Sequence, residues 1–159
     1  MSAIRTDRLL TAYRIGDPDG AYPIYDCEGA RLYPGRWNTA ASPLLYTSEH
    51  YSTAMLEKLV HANSVLPPNQ HFIRITIAPG VRYEMFQPAA YPGWDGKDES
   101  ICKLFGAAWH AERRSALLLV PSLPARPERN ILINLDHPDA AGISYSLPEP
   151  VWWDERLYG

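Results

Sequence analysis

Polar and apolar positions divide the chain into short strands and two longer helices. His71 to Ala78 alternates, and Ile73, Ile75 and Ile77 fall on one face, which predicts a half-buried strand. Leu10 to Ile15 reads as a first strand and Leu44 to Thr47 as a second. Ala116 to Val120 and Ile131 to Leu135 are short apolar runs of the kind found in buried central strands. Helical spacing appears twice. Ser48 suits an N-cap with Glu49 in the first turn, and the helix runs to about Ala62 with Tyr51, Met55, Leu56, Leu59 and Val60 as its apolar face. Asp98 suits the cap of a second helix, in which Ile101, Leu104, Phe105, Ala108 and Trp109 recur at i, i+3, i+4, i+7 and i+8. Gly16 to Gly20 is a turn by composition, Gly35 to Pro43 is loop, Pro67-Pro68 closes the first helical region, and Gly80 to Gly96 reads as a long surface loop. Tyr22 to Pro34 fits no single pattern. The expectation is a strand-rich α+β domain with two main helices, one domain over residues 1–159.

Composition narrows the function classes. At 159 residues the chain is long enough to bury a core without disulfide staples. Its 46% hydrophobic and 21% charged residues are globular rather than disordered values. Net charge −3 and pI about 5.9 give no support to direct nucleic-acid binding, which calls for a basic face. Cys27 and Cys102 have no CxxC partner, so a reduced cytosol is the simpler setting. No apolar run suits a signal peptide or approaches the ~18 residues of a membrane span, and a soluble, cytoplasmic protein is expected. The five histidines form no close ligand pair, and no phosphate-loop or dinucleotide glycine motif occurs, so no metal is expected.

The chemistry concentrates between Tyr33 and His61. Arg36 lies on a Gly35-Arg36-Trp37-Asn38 turn, Tyr46 at a strand end and Glu57 on a helix. Such a set could hold a phosphate, stack an aromatic ring and steady a positive charge, the needs of an enzyme that breaks a nucleotide glycosidic bond. Gly35 permits close backbone approach, and a guanidinium offers a fork matched to phosphate oxygens. The plainer alternative is a turn whose arginine caps a carboxylate and whose tryptophan anchors the loop. Glu57 lies about 150° from the centre of its helix's apolar arc, so it is either solvated or aimed into a cleft on the helix's other side. Tyr46 could equally be a core tyrosine. Ser122 closes the most apolar strand and either lines a site or caps the next turn; Asn130 and Asn134 read by default as structural asparagines.

Seven motifs in order, Tyr13-Arg14-Ile15, Gly35-Arg36-Trp37-Asn38, Leu45-Tyr46-Thr47-Ser48, Ala54-Met55-Leu56-Glu57, Gly106-Ala107-Ala108-Trp109, Val120-Pro121-Ser122 and Asn130 to Asn134, resemble the RES domain. The resemblance runs from about Leu10 to Arg156. The family is named for an arginine, a glutamate and a serine, which here are Arg36, Glu57 and Ser122. Two positions depart from its pattern: Pro34 stands where a glycine is usual, and Ala107 where an acidic residue is usual. The resemblance implies an ADP-ribosyltransferase-like fold with NAD⁺ as substrate and no metal. It also implies the toxin of a bacterial toxin–antitoxin pair, neutralised by a partner with a helix-turn-helix region that blocks the cleft. No membrane partner is implied.

On that resemblance, Arg36, Tyr46 and Glu57 form the catalytic set, while Arg14, Gly35, Trp37, Ser122 and Asn130 bind the rest of the nucleotide. Glu57 meets the oxocarbenium-like charge that forms as the nicotinamide–ribose bond breaks, Arg36 holds a pyrophosphate or ribose oxygen, and Tyr46 stacks on or bonds near the nicotinamide. The ADP-ribosyl acceptor is water or phosphate, with a protein side chain as the alternative. A ribonuclease-type toxin is a remoter reading, disfavoured by the acidic pI and the absence of a His-centred acid/base pair. A catalytically dead interaction module is disfavoured by the intact Arg36, Tyr46 and Glu57.

Overall fold

The computed structural model describes residues 4–158. The alternating segments pair first. Strand β2 (Leu10–Gly16) lies antiparallel to β4 (His71–Ile77) along its whole length, from Leu10↔Ile77 to Gly16↔His71. β3 (Leu45–Ser48) pairs with β7 (Arg129–Ile133), from Leu45↔Ile133 to Ser48↔Asn130. β6 (Leu117–Pro121) lies between β7 and β5 (Arg82–Met85), antiparallel to the first and parallel to the second. With β1 (Ile4–Arg5), β8 (Ile143–Tyr145) and β9 (Glu149–Pro150), these make a nine-stranded sheet in the order β1-β5-β6-β7-β3-β2-β4-β8, with β9 also on β4.

Both faces of this sheet's centre are buried, which is why β6 reads as one apolar run. Leu117 and Leu119 join Ile73, Ile75, Ile131 and Ile133 in one core cluster, whereas Leu118, Val120 and Leu132 join Trp37, Phe86, Trp94, Cys102 and Trp109 in another. Helix α3 (Ser100–Ala111) belongs to the second cluster. Helix α2 (Tyr51–Leu59) covers a third, smaller cluster, where Ala54 meets Ile15 and Val151. A five-residue helix, α1 (Glu28–Leu32), occupies the segment without a clear pattern. The architecture is α+β, with α2 and α3 as the two longer helices.

Several local expectations are corrected. Ser48 does not cap α2, because β3 keeps pairing through Ser48; His50 takes the N-cap position in extended conformation. Glu49 meets Arg129 at 3.4 Å instead of the helix terminus. The helix ends at Leu59, short of Ala62, and Leu56 and Val60 are exposed while Thr53 and Ala54 are buried. In α3 the buried side is Cys102, Gly106 and Trp109; Leu104 and Ala108 face solvent. Asp98 accepts from the Ser100 N–H at 3.0 Å, but Glu99 holds the N-cap position. Gly80 to Gly96 is not simply a surface loop: it contains β5 and buries Val81, Phe86 and Trp94.

β2 and β3 share only the pair Tyr13↔Ser48. The half-buried Arg14 fills the break in the ladder, donating from Nη1 to the Tyr46 carbonyl at 2.9 Å and from Nε to the Ile24 carbonyl at 2.6 Å.

Candidate active site

A cleft of about 770 Å³ opens over this break, between the turn at residues 33–37 and α2. That volume is within the range of small-molecule sites, about 300–1,000 Å³. Arg14, Gly35, Arg36, Trp37, Tyr46, Glu57 and Asn130 all line it.

The Arg36 turn is held from inside. Asn38, fully buried, uses both ends of its amide. Its Oδ1 accepts from the Gly35 N–H at 2.8 Å and the Tyr46 hydroxyl at 2.6 Å, and its Nδ2 donates to the Ala30 and Thr39 carbonyls, both at 2.9 Å. The Tyr46 hydroxyl also accepts from the Trp37 N–H at 3.1 Å. Burial pushes the Tyr46 phenol well above the ordinary tyrosine range, so it stays protonated and donating. Gly35 is required here, because a Cβ would lie 2.8 Å from the Tyr46 oxygen. The close approach that Gly35 permits is thus to Tyr46. Trp37 is buried edge-on against Phe86, ring centroids 4.8 Å apart. Its carbonyl sits against α3 where a Cβ on Gly106 would come within 1.7 Å, so only glycine fits there.

Arg36 itself donates from Nη1 to the Trp94 and Gly96 carbonyls, both at 3.0 Å, and its Nη2 lies 3.8 Å from Glu99. Much of the fork is therefore engaged within the protein. The turn whose arginine meets a carboxylate and whose tryptophan anchors the loop is present, and it forms a wall of the cleft. Lys103 ties the turn to α3, bonding the Gly35 carbonyl and pairing with Glu99 at 3.4 Å.

Glu57 stands in a different setting. With Ala54, Lys58 and His61 it forms an i, i+3, i+4, i+7 row of α2 and its following turn that lines the cleft. Its Oε2 accepts from the Asn130 Nδ2 and from the Ser122 hydroxyl, the latter at 3.2 Å. Asn130 is oriented in turn by the Ser48 hydroxyl, which donates to its Oδ1 at 2.8 Å. The other carboxylate oxygen, Oε1, has no protein partner among the described residues. Only two carboxylates line the cleft; Glu99 is neutralised by Arg36 and Lys103, whereas Glu57 is in no ion pair. Ser122 is fully buried and absent from the cleft wall, so its contact with the site runs through Glu57; its oxygen also accepts from the Ala125 N–H at 3.3 Å, as a turn cap does.

The sequence reading passed over four polar residues that bear on the site: Ser48, Asn38, Lys103 and Lys58. For Lys58 and His61 the signal was their spacing from Ala54 and Glu57. For Asn38 and Lys103 no sequence pattern marked the bonds.

The RES domain family matches residues 11–154. A toxin of Sphingobium sp. (strain YBL2) named "Prs ADP-ribosylating toxin" is 37% identical over 152 residues, covering 91% of this chain and 94% of its own. A "Toxin Res" of Photorhabdus laumondii is 31% identical over 79% of this chain and 81% of its own. A "Toxin Res" of Yersinia enterocolitica is 34% identical over 69% of this chain and 73% of its own. Among solved structures, the fold is similar to a chain of the MbcT–MbcA toxin–antitoxin complex of M. tuberculosis, with TM-score 0.73, 18% identity, and coverage of 91% of this chain and 85% of that one. No group of three possible metal-ligating side chains occurs among the described residues, and no helix there is long and apolar enough to cross a membrane.

Proposed function

Since the chain belongs to the RES domain family, we propose that it is the toxin of a toxin–antitoxin pair and cleaves the nicotinamide–ribose bond of NAD⁺. One observation carries the reading: Glu57 presents an unneutralised carboxylate oxygen to a nucleotide-sized cleft while its other oxygen is clamped. Breaking the bond expels neutral nicotinamide and leaves positive charge on the ribose C1′ and ring oxygen. The free Oε1 stabilises that charge or accepts from the ribose 2′-hydroxyl. The Asn130 and Ser122 bonds fix its direction beforehand, which is how preorganised electrostatics lowers a barrier. Tyr46 acts through its ring, since its hydroxyl is engaged in the turn. Arg36 acts chiefly by holding the opposite wall, with whatever donor capacity its anchors leave.

ADP-ribose then passes to water, giving ADP-ribose, or to phosphate, giving its phosphate ester. The name of the Sphingobium relative favours a second reading, in which a protein side chain is the acceptor and Prs is the first target to try. The partner is an antitoxin that occludes the cleft through a domain bearing a helix-turn-helix region. Purified protein incubated with NAD⁺, with and without phosphate, and then with added Prs, separates these routes by product mass. Absence of nicotinamide release under all three conditions would refute NAD⁺ cleavage.

A further inference from the structure

Two cationic side chains in the cleft have no acidic partner. Arg14 spends Nε and Nη1 on backbone carbonyls, leaving Nη2 without a protein hydrogen bond, and it is in no ion pair among the described residues. Lys58, on the cleft-lining row of α2, has neither a side-chain hydrogen bond nor an ion pair there. By contrast Arg36, the residue with the fork suited to phosphate, is already anchored to two carbonyls and Glu99. Half-buried charges without partners are costly, and a bound anion relieves that cost. We propose that Arg14 and Lys58, not Arg36, form the site for the diphosphate of the nucleotide, which rests on the reading of the cleft as an NAD⁺ site.

The chemistry suits the two residues. A diphosphate offers oxygens over a span that two separate cations can share. Arg14 contributes one directed N–H from a guanidinium fixed by its carbonyl bonds, and Lys58 a movable ammonium on a flexible stem. Burial, with the neighbouring Arg14 charge, pulls Lys58 below the ordinary lysine range, and burial also lowers Arg14. Both shifts have the sign of cations short of solvent and counter-charge. Asp17 opposes the shift on Lys58 but makes no ion pair with it, and its carboxylate is bonded to Asn69 at 2.8 Å. A lysine in the last turn of α2 also complements the helix dipole; that role alone would move stability and leave nucleotide affinity unchanged.

Calorimetric titration of ADP-ribose, ADP and adenosine into wild type, Lys58→Ala and Lys58→Arg tests the site, with circular dichroism melts as the folding control. Wild type should bind ADP-ribose and ADP far more tightly than adenosine. Lys58→Ala should weaken both about tenfold, Lys58→Arg should restore both, and none of these changes should follow the melting temperature. Unchanged affinity in Lys58→Ala overturns the proposal, as does a loss confined to ADP-ribose, which would put Lys58 on the second ribose. Wild type that cleaves NAD⁺ but binds ADP no better than adenosine also sinks the diphosphate site and leaves the cleavage reading standing. Wild type that neither binds these nucleotides nor releases nicotinamide brings down both.

Discussion

The Arg36 turn and helix α2 face each other across one cleft and are built on opposite plans. The turn satisfies its own groups: the Tyr46 hydroxyl, the Asn38 amide and Nη1 of Arg36 all have protein partners. The helix leaves a carboxylate oxygen of Glu57 and the Lys58 ammonium without protein partners. The difference separates residues that shape a site from residues left free to react. A satisfied buried network rigidifies, whereas an unmatched charge retains the interaction that a ligand or a transition state must supply.

If the contrast holds, substitutions on the two sides should fail differently. The largest effect belongs to Glu57→Gln, which keeps shape and removes charge. Nicotinamide release should fall on the order of 10²–10³-fold with an unchanged melting temperature; near-wild-type turnover in the folded variant would break the comparison. Gly106→Ala should act through stability, since its methyl meets the Trp37 carbonyl. Overpacking of this kind costs about 1–3 kcal/mol or more, measured by urea unfolding, and tolerance of alanine would mean that the turn is not pinned to α3. Tyr46→Phe keeps the ring but strips the hydroxyl from Asn38 and the Trp37 N–H, costing about 1–3 kcal/mol. Turnover per folded molecule should survive, and a catalytic loss at undiminished stability would put the phenol itself in the chemistry. The smallest effect is expected of Ser48→Ala, which frees the Asn130 amide to rotate and turn its oxygen toward Glu57. The acid limb of the pH–rate profile should then move upward, because a carboxylate that loses a donor and gains a facing acceptor holds its proton more tightly. Ser48→Thr should restore the profile, and an unmoved profile in Ser48→Ala would show that Ser48 does not orient the amide.

The sequence made the sheet's centre legible and the walls of the cleft much less so. β4 and β6 were readable because alternation and an unbroken apolar run each follow directly from one-sided or two-sided burial. The face of α2 was misjudged because only short side chains, Thr53 and Ala54, are buried, while Leu56 and Val60 stay exposed. A rule that ranks positions by hydrophobicity turns such a helix the wrong way. Residues 80–96 looked like loop because glycine and proline interrupt the pattern, yet Phe86 and Trp94 are core partners of Trp37 through long-range contacts. Asn38, Ser48 and Lys103 could not be read at all. Their importance lies in hydrogen bonds closed by the tertiary fold, and a lone polar residue carries no periodicity.

The clamp on Glu57 is assembled from distant parts of the chain, for Asn130 follows Glu57 by 73 residues and lies on β7. A ribosome adds about 5–20 residues per second, so Glu57 emerges several seconds before the amide that holds it. Pairing strands so far apart in sequence is also slow in its own right, because a long loop must close before its contacts reward it. The nascent chain is therefore harmless until β7 has been made and docked, and a transcript cut short upstream of Arg129 encodes a product without the clamp. For a cell that carries such a gene, birth of the toxin is timed by completion of the chain, which gives a co-expressed neutralising partner an interval in which to accumulate.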